Sequence, residues 1–390
     1  MSQILSALLG MLFVGMLTGS VMLWWWAFRC LRGGVPLLKF EPRRPVPWSL
    51  IDLTFIFVIV LVVLVGGQSM ALRFYGLSSG VEVENATAQH LSVSIFSSSI
   101  GLLVGCVLAI LLLKVRGASW RDLGLAARRL WDDIRIGVAA FVMLAPPMYF
   151  MQFLLTRLWP SEHPLQTMLL EDPQWSIILG ATFTAVLVAP LTEEIFFRLI
   201  FQGWMEKAST LVRKLDRGAD AIGIPGAQQA HGDVISVFLG DSAARRIAGV
   251  EAPFHSAAPV IAKVPDNVEE EFPQAEPAEL TVDPAAAENP YVSPQSETAW
   301  TEKPTAEAVE TPANPLPQAW PIVVSAAVFA LLHWGHGPDP IPLFFLAAGL
   351  GYLYQRTHRI VPCIVVHFLV NSLSMVALIA FSLSGQDPPE

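Results

Sequence analysis

The sequence predicts an all-α polytopic membrane protein with about eight transmembrane helices, interrupted by a large disordered cytoplasmic insertion. Three observations lead there. Of the 390 residues 53% are hydrophobic and only 15% charged, with a mean hydropathy of +0.52; a soluble protein carries roughly 25% charged residues. Apolar stretches approaching the ~20 residues needed to cross a bilayer core recur along the chain. Basic residues collect after every second stretch, as the positive-inside rule requires.

The stretches are residues 5–28, 50–72, 92–115, 134–155, 177–204, 320–334, 341–354 and 360–383, the sixth and seventh being short. The first is not a cleavable signal, because its start lacks positive charge and its apolar run is too long. The "MLWWWAF" near its end reads as an interfacial aromatic belt. Arg29, Arg32, Lys39, Arg43 and Arg44 follow it. Lys114, Arg116, Arg121, Arg128 and Arg129 follow the third stretch; Lys207, Arg213, Lys214 and Arg217 follow the fifth; Arg356 and Arg359 follow the seventh. The basic loops are therefore expected in the cytoplasm and both termini outside. The expected location is multi-pass, in a bacterial inner or plasma membrane.

Four segments organise the chain: N-terminal membrane helices (1–118), an amphipathic stretch and first half of a core (119–208), an insertion (209–318), and a second half (319–390). Residues 119–137 interleave Trp120, Leu123, Leu130 and Trp131 with charges, which predicts an interfacial helix leading into the fourth span. An ordinary charged loop is the plainer alternative. Residues 218–318 hold 16 acidic against 4 basic residues and 13 of the 30 prolines. That composition predicts disorder, with a short helix within residues 232–247. The segment would gate substrate access, recruit a partner, or serve only as a linker. Three cysteines, Cys30, Cys106 and Cys363, sit in or beside apolar runs and read as reduced and buried. No basic, aromatic-interleaved patch points to nucleic acid.

Ionisable residues inside a span are costly and mark a site by default. "APLTEEIFFRLIFQGW" places Glu193, Glu194 and Arg198 within apolar sequence, after a proline that should weaken the helix. Glu194 and Arg198 are four apart and can pair. Glu193 lies about 100° round the helix, free to face another span and act as a general base near neutrality. A plain helix end whose charges meet water is the alternative. In "FALLHWGHG", His333 and His336 are three apart, although the glycines place His336 equally well in a following turn. In "HFLVNSLS", His367 and Asn371 are four apart; they would serve catalysis or simply join two helices by a hydrogen bond. At ~1.5 Å per residue, Glu193, His333 and His367 fall at a similar depth, roughly 12–20 Å from the helix ends. One shared cavity explains that agreement.

Taken in order, Glu193-Glu194-x-x-x-Arg198, Phe329-x-x-x-His333 and His367-x-x-x-Asn371 resemble the three-motif signature of the CAAX protease and bacteriocin-processing (CPBP, or Abi) intramembrane proteases. That family includes the type II CAAX prenyl endopeptidases. The resemblance spans about residues 119–383 apart from the insertion, which is the main departure. It implies a membrane endopeptidase, metalloprotease by common label, acting on a membrane-associated protein or peptide, including a lipidated one. It implies Glu193 as the base that activates water and His333 as the group that holds the water. Glu194 and Arg198 would orient them, and His367 and Asn371 would stabilise the oxyanion. Glu193, His333 and His367 would equally supply three zinc ligands with an open fourth position, or work without metal. Two further readings stay open: a transporter or channel using buried Glu, Arg and His, and a catalytically idle scaffold or immunity protein.

Overall fold

The computed structural model describes residues 3–81, 87–125, 129–159, 175–210, 234, 236–240, 318–334 and 337–384. Those residues belong to one compact unit. They form eight long helices: α1 (Gln3–Arg32), α2 (Leu50–Phe74), α3 (Ala88–Val115), α4 (Leu130–Leu158), α5 (Trp175–Thr210), α6 (Ala319–Leu331), α7 (Pro340–Thr357) and α8 (Val361–Ser384). No strand occurs among the described residues. Six helices are long and apolar enough to cross a membrane; α6, with 13 residues, and α7 are not among them. The expected count of about eight spans therefore becomes six plus a shorter helical pair. Outward-facing Phe57, Val62, Leu111, Phe150 and Phe153 are exposed, an apolar coat suited to lipid rather than water.

The helices pack as α2 on α3, α6 on α7, and α4 against α1, α7 and α8. A close approach fixes α8, which carries the third motif. At Gly137 of α4 an added Cβ would stand 2.7 Å from Val365 Cβ and 2.9 Å from Pro362 O. Only glycine lets the two backbones come so near.

Proline shapes the packing in a second way. Pro146 and Pro147 lie inside α4, and Pro147 lacks the N–H that would bond Met143 O. That carbonyl is instead met by α1, through Ser20 Oγ at 3.2 Å and Trp24 Nε1 at 2.8 Å. Trp24, read from sequence as part of an aromatic belt, thus has a tertiary task. Its neighbours Trp25 and Trp26 remain exposed.

One end of the bundle gathers the loops after α1, α3 and α7. Ser49 and Asp52 form a capping box that starts α2, and Trp48 is fully buried with its Nε1 donating to Ile200 O at 3.0 Å. Glu206 of α5 receives Arg43 Nη2 at 3.0 Å, His358 Nε2 at 3.2 Å and Gln202 Nε2 at 3.1 Å. Arg359 pairs with Asp133 and, at 3.1 Å, with Glu41. Arg356 donates twice to Leu38 O. The basic loops after α1, α3 and α7, predicted to share a side, thus do share an end; Arg128, Arg213, Lys214 and Arg217 lie outside the described residues.

The expected interfacial helix over 119–137 is not formed as one. Ser119–Gly124 is a turn closed by Asp122, which accepts from Ser119 N–H and Oγ at 2.7 Å each, and α4 starts only at Leu130. Gly124, at φ 69°, ends the turn against the α7–α8 connection, where Ile360 N–H donates to its carbonyl at 3.3 Å. Residues 126–128 lie outside the described residues. So does most of the insertion. Its described piece, residues 236–239, is helical and docks on α5: Trp204 Nε1 donates to Val237 O and Lys207 Nζ to Ser236 O. The cysteines are free, with Cys106 and Cys363 buried as expected and Cys30 only half-buried.

Candidate active site

The first motif lies on α5 where the helix is not regular. Thr184–Val188 and Ile195–Gln202 are wound as π-helix, on either side of an α segment Ala189–Glu194. π turns collect at functional sites, and here the cause is legible. In the first π turn Ala189 N–H bonds Thr184 O, five residues back. The same pattern would direct residue 190 to Ala185 O, but Pro190 has no N–H to give. Asn371 of α8 supplies the missing donor, its Nδ2 lying 2.7 Å from Ala185 O. The proline thus opens the helix, and the third motif closes the gap.

One turn on, the two glutamates part company. Glu194 is fully buried. Its Oε2 lies 3.2 Å from Arg198 Nε, and its Oε1 lies 2.9 Å from His367 Nδ1. Arg198, equally buried, donates from Nη1 to Ser325 Oγ at 3.1 Å, and Ser325 donates onward to Phe197 O. The guanidinium also stands 5.4 Å over the Phe329 ring, a cation–π contact. Glu193 has none of these ties. Its side chain keeps 28% exposure, and His367 Nε2 lies 3.7 Å away. His367 therefore stands between both carboxylates, one on each ring nitrogen.

Phe329 is the hinge of the arrangement on α6. It is buried, with its ring 4.9 Å from His333, 5.9 Å from His367 and 5.2 Å edge-on from Phe197. His333 directs Nδ1 to Phe329 O at 2.9 Å, which leaves Nε2 outward. Three helices distant in sequence thus bring Glu193, Glu194, Arg198, His333 and His367 together. Asn371 is placed beside them, on the backbone of α5. His336 lies outside the described residues.

Sequence reasoning missed Ser325. Its signal was present: Ser325, Phe329 and His333 recur every fourth residue, which sets them on one helical face. Buried hydroxyls in helices are common, however, and only the partner Arg198 gives this one a role.

Among the described residues no three His, Cys, Asp or Glu groups converge as metal ligands. His367 directs Nδ1 to Glu194 and His333 directs Nδ1 to Phe329 O, which leaves Nε2 of each without a hydrogen bond to these groups. No step below runs through a metal.

A polytopic helical protein with a Glu–Arg–His cluster at its centre is the class that the fold and site define. Within it, residues 306–373 match the family model of type II CAAX prenyl endopeptidase Rce1-like proteins. That segment contains Phe329, His333, His367 and Asn371, and ends the resemblance's reliance on motifs alone; the first motif lies outside it. No curated protein and no solved structure matches the chain.

Proposed function

We propose that the protein is an intramembrane endopeptidase that hydrolyses a peptide bond of a membrane-associated protein or peptide, with CAAX-type lipidated tails as the leading substrate class. The observation that carries this reading is the inequality of the two glutamates. Glu194 is committed to Arg198 and His367, whereas Glu193 keeps a partly exposed side chain beside the same histidine. A spare base next to an imidazole, with water able to reach it, is what peptide hydrolysis needs.

In the proposed reaction Glu193 takes a proton from water as the water oxygen attacks the scissile carbonyl carbon. His333, with Nε2 free, holds the water. His367, between the carboxylates, offers Nε2–H to the oxyanion that develops. The proton on Glu193 then passes to the leaving nitrogen as the C–N bond breaks, releasing a carboxylate and an amine. Glu194 and Arg198 act through His367, fixing its orientation. Asn371 keeps α5 open through Ala185 and thereby holds Glu193 at the right depth.

The test is cleavage of matched peptides, prenylated and unmodified, by detergent-purified protein, with Glu193→Gln and His333→Ala as comparisons. Cleavage by wild type and loss in Glu193→Gln is the expected result. Cleavage that survives in both variants would overturn the mechanism, and metal analysis of the same samples would test the reading without zinc.

A further inference from the structure

At the end of the bundle that gathers the basic loops lies a cavity of about 930 Å³ that the reaction does not use. Its walls come from the loop after α1, the turn after α3 and the α7–α8 connection. Five arginines line it, Arg43, Arg44, Arg121, Arg129 and Arg359, against two carboxylates, Glu41 and Asp122. Partners behind the wall take up two of the arginines: Glu206 holds Arg43 and Asp133 holds Arg359. Asp122 takes Nε and Nη2 of Arg44 at 3.1 and 2.8 Å, and Glu41 takes Nη1 of Arg129 at 3.0 Å. Both of these guanidiniums remain more than half exposed, with an edge of each fork unused. Arg121 is exposed and has no ion-pair partner among the described residues. The cavity therefore carries the surplus positive charge of Arg121 beside the anchored, part-open guanidiniums of Arg44 and Arg129, a geometry that receives phosphate oxygens two at a time.

Its surroundings say which phosphate. Trp120 and Trp131, from the loop and helix that bear Arg121 and Arg129, are 58% and 74% exposed. Indoles so placed at the end of membrane helices sit at headgroup level. We propose that this cavity binds a phosphate group at the bilayer surface, carried by the headgroup of an anionic phospholipid. Arg121, Arg129 and the free edge of Arg44 would grip the phosphate, and Trp120 and Trp131 would lie along the upper acyl chain. The bound lipid would tie the turn after α3 to the α7–α8 connection, which leads directly into the helix of His367.

The experiment uses the full chain in nanodiscs of phosphatidylcholine with and without phosphatidylglycerol, and reads retained lipid by native mass spectrometry. Arg121 is exposed and Arg129 more than half exposed, with one ion pair to Glu41, so Arg121→Gln with Arg129→Gln is the informative variant. Wild type should retain phosphatidylglycerol over phosphatidylcholine, and the double variant should lose roughly fivefold or more in that preference. Arg135→Gln, which removes an exposed arginine outside the cavity, should leave it unchanged. Glycerol phosphate in solution should compete only weakly, since it lacks chains for the tryptophans. Equal retention of the two lipids overturns the proposal. So does an equal loss in Arg135→Gln, and full competition by glycerol phosphate would assign the cradle to a soluble phosphate instead of a lipid.

Discussion

Two Glu–Arg–His clusters sit on α5, about three turns apart, and they differ in one respect. At the bundle end Glu206 is met by Arg43, His358 and Gln202, so its carboxylate is fully engaged. In the middle, Glu194 is likewise paired, with Arg198 and His367, but a second carboxylate, Glu193, stands beside it with only the far nitrogen of the same histidine. The first cluster is a tie between loops. The second is a tie with a carboxylate left over. Buried charge alone does not separate structure from chemistry; a surplus does.

The comparison can be broken most severely at the surplus. Glu193→Gln should lower cleavage by about 10²–10⁴, the range for losing a general base, while thermal unfolding changes little. Glu206→Gln should do the reverse. Equal activity losses in the two variants would erase the distinction drawn here. Next comes Arg198→Ala, which leaves Glu194 buried without its cation and should cost about 3–5 kcal/mol of stability. Denaturation in mild detergent reads that loss, and a wild-type midpoint would mean that the pair carries no structural weight.

A smaller effect tests the link between Pro190 and Asn371. Asn371→Leu strands Ala185 O and should cost about 1–2 kcal/mol. Pro190→Ala restores an N–H at position 190, so the double variant should lose less than the two single variants together. Strict additivity would show that the proline and the asparagine are not coupled. Smallest is the Asp122 turn. Burial opposes charge on this carboxylate, yet Arg44 and the Ser119 hydroxyl and N–H prevail and bring its pKa down to about 2. With an unfolded value near 3.9, the contribution is whole above about pH 4 and disappears as pH falls through about 2. Acid titrations of wild type and Asp122→Asn should therefore converge over that interval. Curves that stay parallel would place the effect elsewhere.

Much of this site was legible because it obeys local rules. The i, i+4 spacing of Glu194 and Arg198 announced their pairing, and the second carboxylate, Glu193, fell to another face by the helical period alone. Depth along each apolar run then brought three distant helices to one level. What sequence could not show depends on long-range or irregular geometry. His367 spans both glutamates only because Gly137 lets α8 approach α4 so closely. Asn371 reaches a backbone carbonyl that is free only because a π turn and a proline coincide. The stretch before α4 failed as a helix because Ser119 and Asp122 close a turn first; the charge pattern that suggested one face of a helix serves loop-to-loop ion pairs instead.

The shortness of α6 has a bearing on how water enters. Thirteen residues rise about 20 Å, two thirds of a hydrocarbon layer about 30 Å thick. His333 stands just past the end of that helix, where the polypeptide leaves helical form. Irregular backbone at membrane depth must face protein or a wet recess, because lipid offers it no hydrogen bonds. An enzyme that hydrolyses inside a membrane is usually imagined as opening a door to water. Under the proposed function, the end of this short helix is where water would enter.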